Sequence, residues 1–173
     1  MSGPAVGILL KEPLSNNETD ELYQFIKNCS SSHEIDLDNA LSFWISDATP
    51  LGLSYKGFGL PFVIGIEEEF LVDFDMDSIH QAIRFIPKQE IDIVAMCNGS
   101  DDHYILAKLA IILAEKYDGI INMDYELPKS LTNRITGSIW KVPYLTIGDE
   151  IAFVHFVDVT FLKNWLKEPN FRI

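Results

Sequence analysis

The stretch Cys97-Asn98-Gly99-Ser100-Asp101-Asp102-His103 sets a thiol, a hydroxyl and an imidazole around what reads as the first turn of a helix. A helix N-terminus lowers a thiol's pKa and attracts anions, so these residue types could support nucleophilic or acid–base chemistry with Cys97 or His103 as the reacting group. A plainer account fits the same residues. Cys97 is in phase with Ile91, Ile93 and Ala95, which turns it toward a core, and Ser100, Asp101 and Asp102 suit a helix cap. The paired aspartates also oppose an anionic substrate.

A second constellation is acidic. Glu67, Glu68 and Glu69 are followed by Asp73, Asp75 and Asp77. The alternating aspartates imitate a calcium loop, but the sixth-position glycine is missing and Arg84 stands where the bidentate glutamate belongs. The run reads instead as an acidic edge that docks a cationic partner, with Asp101 and Asp102 adding to it. His33, His80, His103 and His155 lack zinc-site spacing, and no nucleotide fingerprint or nucleophile elbow occurs. No metal and no cofactor is expected. His155, on a strand with Ile151 and Phe153, reads as a satisfied structural histidine.

Charge narrows the partner. The 173 residues carry 26 acidic and 13 basic side chains, a net of -13, so nucleic acid is excluded and a basic protein would be attracted. Two cysteines, Cys29 and Cys97, do not make a disulfide framework, and no basic segment with a long apolar run opens the sequence. These features point to a reducing, cytoplasmic setting, and the apolar stretch Ile105 to Ala114 is too short to span a bilayer.

The elements that must position these residues follow from periodicity and punctuation. Pro4 to Leu10 is a first strand, and Ser15-Asn16-Asn17-Glu18 has capping-box spacing for a helix whose stripe is Leu22, Phe25, Ile26 and Cys29. Strands are expected at Ala40–Ser46 and Phe62–Ile66, with a glycine-rich loop from Thr49 to Leu60 between them. Leu71 to Phe74 extends or follows the second of these. Asp77 caps a helix ending at Pro87, and Ile91–Cys97 is a buried strand leading into a helix from Asp101 to Tyr117. That helix is apolar over more than half its circumference, so it is either central to the fold or covered by another chain, a second copy included. Ile120–Met123, Ser138–Thr146 and Ile151–Val157 are strands, and Phe161, Leu162, Trp165 and Leu166 form the apolar face of a closing helix.

This order implies one α+β domain over residues 1–173, a two-layer α/β sandwich on a largely antiparallel sheet. It has a ferredoxin-like βαββαβ start and a strand-strand-helix extension. Three pieces carry a resemblance: Ser2 to Gly7, Cys97-Asn98-Gly99 through Asp102-His103 to Asn122, and Phe161-Leu162 through Trp165-Leu166 to Phe171. Together they resemble a family of uncharacterised bacterial proteins of about this length, discussed alongside the immunity proteins of polymorphic toxin systems. The resemblance implies a fold type and a bacterial origin and carries over no catalytic residues. The leading expectation is a non-catalytic binding protein, an immunity-type inhibitor that covers a basic toxin or nuclease with an acidic face. The alternatives are a small enzyme using Cys97 or His103 and a small-ligand module with the 49–60 loop as its lid.

Overall fold

Strand periodicity of two gives each β-strand two faces to satisfy, and here it sorts the apolar side chains onto one of them. The computed structural model describes residues 3–35, 40–68 and 74–173. Among these, β1 (Ala5–Leu10) turns Val6, Ile8 and Leu10 into a large core and Leu9 to the opposite face. Ser15 then starts α1 (Asn16–Cys29) with the expected capping box: its Oγ accepts from the Glu18 N–H at 3.3 Å, and Glu18 accepts from the Ser15 N–H at 2.8 Å. Leu22, Ile26 and Cys29 are buried along the helix, so Cys29 is the core thiol its spacing implies.

β2 (Ser32–Ile35) is exposed at every position and has no apolar alternation to announce it. β3 (Leu41–Asp47) and β4 (Lys56–Glu67) form a hairpin longer than the expected strands, because β4 begins at Lys56. The expected Thr49–Leu60 loop is therefore corrected: Thr49–Leu51 is a single 3-10 turn, and Lys56 to Leu60 belong to β4. The lid reading loses its loop. Phe74 bridges Tyr144, while the rest of the expected Leu71–Phe74 strand lies outside the described residues.

α2 (Met76–Ile83) is capped by Asp75, whose carboxylate accepts from the backbone of Asp77 and Ser78, and not by Asp77. It ends where Arg84 adopts a left-handed conformation (φ 69°), ahead of Pro87. β5 (Gln89–Ala95) leads to α3 (Ser100–Tyr117), then come β6 (Ile120–Asn122), the short α4 (Lys129–Thr132), β7 (Ile139–Leu145), β8 (Ile151–Val157) and α5 (Val159–Trp165). Asp158 caps α5 by accepting from the Phe161 N–H at 2.7 Å.

The strands form one sheet in the order β2-β3-β4-β5-β1-β6-β8-β7, and every pairing is antiparallel. The α+β sandwich is thus as expected, but its start runs βαβββαβ, with the exposed β2 added between α1 and β3. The lateral order differs from a split βαβ arrangement, because β5 stands between β4 and β1, where β1 would otherwise stand between β4 and β5. Antiparallel neighbours need no long crossover, so β4 and β5 can pair directly around α2.

α1, α3 and α5 cover one face of the sheet, where the main core lies. α3 is central: ten of its residues, from Asp102 to Ala114, are buried against β1, β5, β6 and α5, which explains its broad apolar surface without a second chain. α2 sits on the opposite face over β7, where Ile79 and Ile83 join Leu9, Val142, Val154 and Phe156 in a smaller cluster. The described residues include no helix long and apolar enough to cross a membrane.

Gly137, just before β7, has φ +145°, and a Cβ there would fall 2.3 Å from the Phe161 backbone nitrogen at the start of α5. Gly137→Ala is expected to destabilise the fold by about 1–3 kcal/mol or more, since both the backbone angle and the helix must yield. Urea unfolding measures this, and a variant within experimental error of the parent would refute the close approach.

Candidate functional site

On the face opposite α1, α3 and α5, the part of the sheet away from α2 carries an acidic cleft of about 610 Å³. Its origin is the alternation of β5. Ile91, Ile93 and Ala95 enter the main core, so Glu90, Asp92 and Val94 must face the other way, and all three line the cleft. Glu67 at the end of β4 pairs directly with Glu90 in the ladder. Asp124 and Tyr125, just beyond β6, line the cleft as well.

The cleft floor is cut by glycine. Across the sheet, Gly65, Asp92, Gly7 and Asn122 are register partners in one row. A Cβ on Gly7 would stand 1.7 Å from Glu90 Oε1, so the bare backbone there is what lets the Glu90 carboxylate fold across β1. It reaches Asn122, whose Nδ2 donates to Oε1 at 3.1 Å. The Asn122 Oδ1 accepts from the Asp124 N–H at 3.0 Å and steadies the left-handed turn at Asp124 (φ 61°). Both ends of the Asn122 amide are therefore occupied, and the amide positions two carboxylates at once.

Burial and mutual repulsion dominate the electrostatics. Burial pushes Glu90 up to about 7, the charges of Asp92, Glu67 and Asp124 add to this, and the Asn122 hydrogen bond opposes it. Burial also lifts Asp92 to about 6, again helped by Glu67 and Asp124. Asp124 is raised by burial. The ion pairs of the described residues join Lys56 to Asp47, Lys88 to Glu12, Lys116 to Glu21, Arg134 to Glu168, Lys141 to Glu126 and Lys163 to Glu115. None reaches the cleft carboxylates. No group of three or more His, Cys, Asp or Glu side chains among the described residues is placed to hold a metal ion.

The residues singled out from sequence fall in several places. Glu67 lines the cleft and Glu68 is exposed just beyond it, while Glu69 and Asp73 lie outside the described residues. Asp75 is spent on capping α2, and Asp77 is exposed in its first turn. Asp101 is exposed at the start of α3, but Asp102 is 1 % exposed, with its Oδ2 accepting from the Gly99 N–H at 2.7 Å. Asp102 therefore offers little to a surface partner. Cys97 is exposed, a correction to its core-facing reading: β5 ends at Ala95, and the alternation that would have turned Cys97 inward stops there.

His103 is buried, and its Nε2 pairs with Asn98 Oδ1 at 2.7 Å. Among the described residues no hydrogen bond joins it to Cys97. His155 is buried too, and its Nδ1 accepts from the Leu127 N–H at 2.8 Å, which makes it a structural anchor for the 123–127 turn.

Glu90, Asp92 and Asp124 escaped the sequence reading. The signal for the first two was present in the alternation Glu90-Ile91-Asp92-Ile93, a half-buried pattern hidden inside a run read as wholly buried. A family model described as a family of unknown function (DUF6368) matches residues 2–173. No curated protein and no solved structure matches the chain.

Glu90 has its pKa raised on folding, so its contribution to stability is complete below about pH 4.5 and is lost as pH rises through about 7. Glu90→Gln removes that loss. Relative to the parent, the variant is expected to gain on the order of 2 kcal/mol between about pH 5 and pH 8 in denaturant unfolding. A pH-independent difference would show that Glu90 is not held in this environment.

Proposed function

We propose that this chain, which belongs to the DUF6368 family of unknown function, is a non-catalytic binding protein that receives a basic protein partner in its acidic cleft. The finer form of this reading is an immunity-type inhibitor that covers a cationic toxin or nuclease. The observation that carries it is the convergence of Glu67, Glu90, Asp92 and Asp124 on one concave surface with no basic side chain among the described residues paired to any of them. The raised pKa values of Glu90, Asp92 and Asp124 mean that the cleft resists holding all its charges. A lysine or arginine entering from a partner would relieve that repulsion and draw the pKa values down, releasing protons near neutral pH.

The net charge of -13 supports the same reading at longer range, since it steers a cationic partner toward the chain. Glu68, exposed next to Glu67, extends the negative surface beyond the cleft. The enzyme alternative on Cys97 or His103 draws no support from the geometry, because His103 is buried and bonded to Asn98, and among the described residues no hydrogen bond joins it to the exposed Cys97.

Affinity capture from the native lysate tests the proposal when the parent protein is run beside a Glu67→Lys/Asp92→Asn variant of unchanged circular dichroism. A basic protein held by the parent should be retained at least ~10-fold less by the variant, as expected when close charge pairs are lost. Retention should also fall steeply as salt rises. Binding that survives both changes would overturn the cleft as the docking surface.

A further inference from the structure

The chain leaving α5 builds one wall of a cavity of about 500 Å³ that adjoins the acidic cleft at Tyr125. Asn170 takes a left-handed turn (φ 62°), and Phe171 then packs between the rings of Tyr104 and Trp165, 5.2 Å and 5.1 Å away between centroids. Phe171 is 2 % exposed and anchors the residues on either side of it. Glu168 and Arg172 are thereby set at the cavity. The α4 region supplies another wall, with the buried Leu131 and, just beyond the helix, Arg134.

Two guanidinium groups thus line one cavity in a chain whose net charge is -13. Arg134 pairs through Nη2 with Glu168 Oε2 at 2.9 Å, and Arg172 donates from Nη2 to the Asn98 carbonyl at 2.9 Å. A guanidinium carries N–H donors on three nitrogens, so both keep donors in reserve. Glu168 is the acidic side chain of the lining, and Arg172 has no ion pair among the described residues. By its side chains the lining is therefore net positive.

The remaining wall is apolar and firm, with a few open donors. Trp165 is 6 % exposed and packs in T-shaped contacts with Phe161 and Phe171. Its indole N–H has no hydrogen-bond partner among the described residues, yet it is not sealed from solvent. The hydroxyls of Tyr125 and Ser130, also on the lining, are unpartnered among the described residues. Burial pushes the Tyr125 pKa up to about 12, so this phenol remains a donor at neutral pH.

We propose that this cavity is a second binding site, for a small organic anion: a carboxylate or phosphate held by Arg172 and Arg134, on a planar apolar body that lies against Trp165. The oxyanion engages donors that the fold leaves open, and the apolar body fills the space beside Trp165, Leu131, Pro128 and Pro169. The cavity's size falls within the roughly 300–1,000 Å³ usual for small-molecule sites. The net charge of the chain opposes an anion at long range, but it is screened beyond about 10 Å at 0.1 M salt, so the guanidinium groups at contact decide the sign. The site stands whether or not the cleft takes a cationic partner.

The indole N–H resonance of Trp165, the one that persists in a Trp44→Phe/Trp140→Phe variant, reports occupancy. Phenyl phosphate or benzoate should shift it saturably in the millimolar range or below, the tighter of the two identifying the oxyanion, while benzylamine should leave it in place. Inorganic phosphate should bind at least ~10-fold more weakly than phenyl phosphate, because it lacks the ring. Arg172→Gln should weaken phenyl phosphate by about tenfold, the loss of a hydrogen bond between charged groups. Glu168→Gln should strengthen it several-fold by releasing Arg134, and this variant keeps the test open should circular dichroism show that Arg172→Gln disturbs the fold. No saturable shift, an equal response to benzylamine, inorganic phosphate binding as tightly as phenyl phosphate, or an affinity indifferent to both substitutions would each overturn the proposal.

Discussion

A strand in the middle of a sheet has two faces and one sequence, and β5 meets that constraint under the most demanding conditions in the chain. Its neighbours on both sides are paired, its inward residues Ile91, Ile93 and Ala95 are fully buried, and the register with β4 and β1 is fixed over six consecutive positions on each. A slip of one residue would send Glu90 and Asp92 into the main core. Core and cleft therefore specify each other. The same ladder that seals the apolar interior holds two carboxylates on the other face, and Gly7 of the adjoining β1 leaves room for Glu90.

How far the sequence reveals this depends on distance along the chain. The Ser15–Glu18 capping box and the stripe of α1 are local, and both were legible. So was the succession of strands and helices, which is a matter of period and punctuation. β2 was invisible because exposed strands carry no alternation, and β4 was shortened because Pro50 and the three glycines of 49–60 read as a loop. The cleft brings Glu67, Glu90, Asp92 and Asp124 together from two strands and a turn, a convergence set by lateral strand order, which sequence period does not encode. Asp102 and His103 were legible as helix-start residues. Their burial was not, because it comes partly from a segment about seventy positions away.

Protons act directly on the cleft. Its carboxylates lose charge as pH falls, so acid weakens the attraction for a cation. Burial sets Glu90 at about 7 and Asp92 at about 6, so the charge of the cleft changes close to physiological pH.

The position of β1 has a consequence for how the chain assembles. β1 precedes both of its partners by a long stretch of chain: β5 lies some eighty residues later and β6 more than a hundred later. Until those strands exist, Val6, Ile8 and Leu10 have no ladder to join. Closing such long loops is entropically slow, so the centre of the sheet forms last and the early strand stays exposed meanwhile. The nascent chain therefore depends on whatever shields an unpaired apolar strand during synthesis, and its folding rate is set by topology more than by the strength of its core.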